Sequence, residues 1–111
     1  MNQYSLTRQF WGRSSAKGKP CCYCEVMLMR SDITSEHIIP KSKGGTITAP
    51  CCQACNRQKA DLLLIDFIIV LMNARSGMHK AKVLKRCDTK IKNSIKFLLL
   101  LYPGEYDFIF K

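Results

Sequence analysis

Two short cysteine pairs, Cys21-x-x-Cys24 and Cys52-x-x-Cys55, constrain this 111-residue chain more than any other feature. Two thiolates three positions apart wrap one metal ion in a tight knuckle, and two such knuckles complete a tetrahedral shell with no open position, as structural zinc requires. A disulfide framework fits poorly. The seven cysteines, at 21, 22, 24, 51, 52, 55 and 87, are odd in number, and residues 1–15 lack the apolar core of a secretory signal. The chain reads as a protein of a reducing cytoplasm that binds Zn2+ through Cys21, Cys24, Cys52 and Cys55, with an unmetallated or redox role as the competing reading. Cys22 and Cys51 are then spare thiols beside the site. A chain this short buries only a modest core, so a metal staple is expected to matter.

The knuckles are 27 residues apart, more than the roughly 15–20 of a simple zinc ribbon, so a structural unit is inserted between them. The insert holds a β-prone run from Ile33 to Ile39, then Pro40, a polar Lys-Ser-Lys-Gly-Gly turn, and a second β-prone piece at Thr46-Ile47-Thr48. This pattern predicts a hairpin, since Gly44 and Gly45 tolerate positive φ and Pro40 belongs at a strand end. Beyond Cys55 the absence of Gly and Pro predicts one helix from Asn56 to Met72. Its Leu62 to Met72 portion is apolar except at Asp66, which predicts wrapping on most sides by the chain or a partner and leaves a homodimer seam open. Gly77 reads as its breaker. One or two further helices are expected between Met78 and Tyr102, with Cys87, Ile91, Ile95, Leu98 and Tyr102 on one stripe and Cys87 a small core residue. Tyr106 to Phe110 reads as a short terminal strand. Residues 1–20 read as a basic arm, with a helical turn expected around Leu6 to Trp11, and 21–111 as a single domain with a helical extension from about 78.

Eighteen Lys and Arg against eight Asp and Glu give a net charge of +10, a field that favours polyanions. No apolar run reaches the ~20 residues of a membrane span, so membrane insertion is not expected. From Lys80 to Lys96 seven basic residues face Asp88 alone. Such a run reads as a solvated face that also suits phosphate contacts, which position a nucleic acid without specifying its sequence.

The densest chemistry lies between Ser35 and Asp61. Cys21-x-Tyr-Cys24, Glu36-His37-Ile38-Ile39-Pro40, Lys43-Gly44-Gly45 and Cys52-x-x-Cys55-Asn56-x-x-Lys59 together resemble the zinc-bracketed branch of the HNH endonucleases, the ββα-metal nucleases, a type often found in phages and mobile elements. The likeness runs over 41 residues, Cys21 to Asp61, with the motifs in the family's order. It implies an α+β fold, a small treble-clef-like zinc-stapled hairpin plus helix, extended here by C-terminal helices. It implies metal-dependent hydrolysis of DNA, with His37 as general base and Glu36 and Asn56 holding a catalytic Mg2+ or Mn2+. The four cysteines match its structural zinc set, and Lys59 a basic position suited to a phosphate contact; Arg57, Lys41 and Lys43 are expected to contact the nucleic acid too.

The chemistry agrees with these roles. Phosphodiester hydrolysis needs an activated water, neutralisation of charge on the phosphate oxygens and help for the leaving alkoxide. An imidazole can take the water's proton near neutral pH, while a carboxylate plus a carboxamide oxygen is a hard, sparse ligand set suited to Mg2+ or a relative. Neighbours on a strand point to opposite faces, so Glu36 and His37 share a site only if the strand end bends. One departure stands out: the middle Asn of the signature falls at Ile47. In the family that side chain fixes the hairpin loop, a task for which Thr46 or Thr48 is the expected substitute. The competing reading is a catalytically inactive, zinc-stabilised nucleic-acid-binding or inhibitory protein of the same fold.

Overall fold

The computed structural model describes residues 18–29 and 31–110; the helical turn expected at Leu6 to Trp11 lies outside them. Residues 18–28 fold back on themselves around the first knuckle. The Cys21 amide donates to the Val26 carbonyl at 2.8 Å, and the Leu28 amide to the Lys19 carbonyl at 2.8 Å. The reversal passes through Glu25, whose φ of 66° costs about 1–3 kcal/mol in a residue with a Cβ and is held by contacts from a distant helix described below.

The inserted unit is a hairpin. Strands β1 (Ile33–His37) and β2 (Thr48–Cys52) pair antiparallel, with Ile33 opposite Cys52 and His37 opposite Thr48. The second strand therefore starts where the β-prone Thr46-Ile47-Thr48 ends and runs into the second knuckle. Between the strands the chain makes one 3-10 turn, Lys41–Lys43, closed by Gly44 at φ 85°. Gly45 is required for a different reason than positive φ: a Cβ there would lie 1.7 Å from the Ile39 carbonyl oxygen. The loop is fixed by its own backbone. The Gly45 amide donates to the Pro40 carbonyl at 3.1 Å and the Ile38 amide to the Ile47 carbonyl at 3.1 Å, while the Ile47 side chain packs on the core. Position 47 thus contributes a carbonyl and an apolar anchor where an Asn side chain was expected. Among the described residues neither threonine hydroxyl takes over that task.

Helix α1 (Gln53–Lys59) starts at the second knuckle, with Cys52 as its cap: the Cys55 amide donates to the Cys52 sulfur at 3.4 Å. The single helix expected from Asn56 to Met72 is in fact two. The chain breaks at Ala60, φ 48°, and resumes as α2 (Leu64–Ser76). Tertiary pulls override local propensity here. Lys59 is drawn inward to an acid on β1, and Leu64 into the core. Nor is α2 wrapped on most sides: Leu64, Phe67, Ile68 and Leu71 are buried, whereas Ile69, Val70 and Met72 remain exposed.

Helix α3 (Ala81–Leu101) packs along α2, with Cys87 and Leu98 buried and Ile91, Ile95 and Tyr102 partly buried beside them. The stripe read from the sequence is thus the core face. The expected terminal strand is instead one helical turn, α4 (Asp107–Phe110); the sheet of the described residues has only two strands, β1 and β2. The fold is α+β, a hairpin and a helix around a four-cysteine cluster with helices added behind. Tyr23 joins the two parts. Its ring meets Phe67 and Phe97 edge-on, at 5.2 and 5.9 Å between centroids, an arrangement aromatic quadrupoles favour.

Candidate metal centre and active site

Cys21, Cys24, Cys52 and Cys55 converge so that their sulfur atoms all lie within 4.8 Å of one another. The Cys24 and Cys52 sulfurs are 3.8 Å apart, the spacing that zinc–sulfur bonds of about 2.3 Å give in a tetrahedron. Backbone amides already point at two of them, Tyr23 to Cys21 and Cys55 to Cys52, each at 3.4 Å. Hydrogen bonds from neighbouring thiols, Cys22 and then Cys24 first, push Cys21 far below an ordinary thiol, while the bond to Cys21 pushes Cys24 and Cys55 far above. A set this crowded can ionise together only around a cation, and the donor set and spacing fit zinc. Cys51 lies beside it without belonging to it, 3.9 Å from the Cys21 sulfur, with its own thiol turned to the Cys52 carbonyl.

The strand period places Thr34 and Glu36 on one face of β1, and α1 covers that face. Glu36 is buried, and its Oε2 accepts from the Tyr23 hydroxyl at 2.8 Å and from Lys59 Nζ at 2.9 Å. Burial raises its carboxyl above the usual carboxylate range, an effect that Lys59 and Tyr23 partly offset. Burial likewise lifts the Tyr23 phenol well above its ordinary value. Lys59 is fully buried, and its Nζ also donates to the His37 carbonyl at 3.2 Å. The phosphate contact expected of Lys59 is therefore corrected: this ammonium is spent inside the protein, tying the acid to the backbone of its neighbour.

Thr34 settles the orientation of Asn56. Its hydroxyl proton goes to the Cys51 carbonyl at 2.8 Å, so toward Asn56 it can only accept, and Asn56 Nδ2 donates to it at 2.8 Å. The carboxamide oxygen must then face away. Among the described residues, no hydrogen bond reaches Asn56 Oδ1 or Glu36 Oε1. Both residues line one cleft of about 270 Å³ together with His37, Ser35, Lys41 and Asp61. Glu36 and His37 thus both border this cleft, although β1 keeps its regular pairing with β2 through His37. Lys41, Lys43 and Arg57 are all exposed, and Lys41 is at the cleft itself.

Residues 21–68 match the HNH endonuclease family. The match takes in both knuckles, the hairpin, α1 and the start of α2, and leaves α3 outside. The fold also has a distant likeness to the crystal structure of the Type II-C Cas9 enzyme from Actinomyces naeslundii, at 16% identity and a TM-score of 0.42, covering 88% of this chain and 11% of that one. The chain thus spans about a tenth of that protein's length. No curated protein matches. Among the described residues no helix is long and apolar enough to cross a membrane.

Sequence reasoning missed three participants in the segment that matches the family model. Thr34 was detectable from the two-residue strand period. Tyr23 sits inside the first knuckle, where only the fold reveals that its hydroxyl reaches an acid 13 positions on. Asp61 adds a carboxylate to the cleft because the chain breaks just before it, and no local signal announced that break.

Proposed function

We propose that the chain is a metal-dependent endonuclease hydrolysing DNA phosphodiester bonds in the cleft between β1 and α1. The observation that supports this reading most is one cleft lined by His37, Glu36 and Asn56, in which the hydrogen bonds use Glu36 Oε2 and Asn56 Nδ2 and leave Glu36 Oε1 and Asn56 Oδ1 without a donor among the described residues. Mg2+ or Mn2+ held by those oxygens would offset charge on the scissile phosphate and assist the departing alkoxide. His37 takes the proton of the attacking water. Lys41, Lys43 and Arg57 bind flanking phosphates. Lys59, Tyr23 and Thr34 are positioning residues: the first two hold the bonded oxygen of Glu36, and Thr34 sets the amide of Asn56. The zinc cluster ties the hairpin to α1, so the two walls of the cleft, β1 and α1, keep their relative position.

The test is cleavage of supercoiled plasmid by zinc-loaded wild-type and His37→Ala proteins, with and without Mg2+ or Mn2+. Wild type should nick only with the divalent ion, and the variant should be slower by about 10²–10⁴-fold, the usual contribution of a general base. Equal cleavage by both would remove His37 from the mechanism. Tight, salt-sensitive binding with no cleavage would assign the fold to a non-catalytic nucleic-acid-binding module.

A further inference from the structure

We propose that the solvent face of α3 is a second nucleic-acid contact surface, one that grips the phosphate backbone and lengthens the footprint of the HNH cleft. The substrate class rests on the endonuclease reading; the surface itself rests on the placement of charge. Helix α3 is 21 residues long, about 31 Å at 1.5 Å per residue. Its apolar side, Cys87 and Leu98 with Ile91 and Ile95, is consumed by the core. On the other side Lys82, Lys85, Arg86, Lys92 and Lys96 are all exposed.

Two further observations set this face apart from an ordinary solvated one. The single acid on α3, Asp88, is already paired with Arg75 of α2, whose Nε and Nη2 donate to its two carboxylate oxygens, so it does not neutralise the lysines around it. That pair, with Lys85, Thr89 and Lys92, lines an open groove of about 430 Å³ on the surface. The second observation is continuity with the reactive segment. Lys82, Arg86 and Lys90 form one row at four-residue spacing, and Lys90 Nζ, the end of the row, donates to Gln58 of α1 at 3.1 Å. Gln58 adjoins Arg57 and lies two residues from Asn56. The basic track therefore leads from α3 onto the helix that supplies the cleft. An anionic membrane is the poorer partner, since an interfacial helix needs a free apolar side and that of α3 is buried.

Phosphate contacts release counterions, so the surface has a signature distinct from folding: each lost contact flattens the plot of log affinity against log salt by about 0.9. The experiment compares the full zinc-loaded chain with a Lys82→Gln, Lys85→Gln, Arg86→Gln, Lys92→Gln variant. Binding to two unrelated duplexes of about 30 base pairs is measured between roughly 50 and 200 mM salt without divalent metal. Gln preserves helix propensity, and circular dichroism checks the fold; a second variant, Lys92→Glu with Lys96→Glu, repeats the test at the far end of the face. We expect the slope to flatten by about 2–4 and the affinity to fall at least about ten-fold, equally for both sequences. Unchanged slope and affinity in folded variants would overturn the proposal, as would loss of binding to phosphatidylserine vesicles with DNA binding intact. Because no divalent ion is present, the result is independent of cleavage. An inactive wild type with α3-dependent binding would defeat only the endonuclease reading, and an active one with unaffected binding only the surface.

Discussion

Residues 18–29 and 31–60 add a sulfur cluster and buried polar contacts to an apolar core that includes Leu28, Ile33 and Ile38, whereas residues 64–101 are held mainly by apolar burial. In the first region the fixed points are the four-cysteine cluster and the chain of contacts from Tyr23 through Glu36 to Lys59 and the His37 carbonyl. In the second they are Phe67, Ile68 and Leu71 against Cys87 and Leu98. The buried acid–lysine pair and the cysteine cluster occupy interior that apolar side chains would otherwise fill, so metal ligation and charge pairing share the work of packing with Leu28, Ile33 and Ile38. The two regions meet at Tyr23, whose ring belongs to the apolar side and whose hydroxyl belongs to the polar one. Asn93 of α3 reinforces the joint by donating to the Tyr23 carbonyl at 2.7 Å and to Glu25 at 3.0 Å, bracing the strained turn of the first knuckle.

Removing zinc should separate the regions most sharply. Structural zinc contributes apparent binding energies of about 10–16 kcal/mol in small domains, so chelation should abolish hydrogen-exchange protection across β1, β2 and α1. Amides of α2 and α3 that face one another should keep a measurable part of theirs. Simultaneous and complete loss in both regions would show that the helices have no stability of their own.

Substitutions inside each region should then differ in kind. Lys59→Met leaves the Glu36 carboxylate buried without its cation, at a cost of about 3–5 kcal/mol; Leu98→Ala opens a cavity at about 2–5 kcal/mol. Their pH dependence tells them apart. Burial already raises Glu36 above its free-chain value, so the folded protein holds that proton more tightly than the unfolded chain. The stability this group contributes is full below the free-chain pKa and is lost as pH rises through the folded one. Without Lys59 the carboxyl shifts further up. The destabilisation by Lys59→Met should therefore be larger at pH 8 than at pH 5, and that by Leu98→Ala the same at both, as read from denaturant midpoints. Equal pH response in the two variants would contradict the ion-pair account.

How much of this was legible in the sequence follows from the range of the forces. Knuckles, hairpin and the core stripe of α3 are set by spacing and by side-chain period, and they were readable. The break at Ala60 was not, because nothing local opposes a helix there; the cause is the inward pull on Lys59 and Leu64. Lys59 itself read as a surface cation, since a lysine is buried only where a partner waits, and its partner lies 23 residues earlier on β1. The residues from Tyr106 to Phe110 have strand-like composition yet close into a helical turn. In the cleft, Glu36, His37 and Asn56 were legible as types at positions, whereas the orientation of Asn56 depends on where one threonine proton goes.

That orientation carries the central claim, that two oxygens are left facing the cleft to hold a cation beside His37. The direct measurement is Mn2+ binding to the zinc-loaded protein by electron paramagnetic resonance. Wild type should bind one Mn2+, Asn56→Ala and Glu36→Gln should weaken it by at least about ten-fold, and Thr34→Val by less, since its carboxamide can still reach the ion part of the time. Undiminished Mn2+ binding in Asn56→Ala and Glu36→Gln, with zinc content and fold intact, would contradict it.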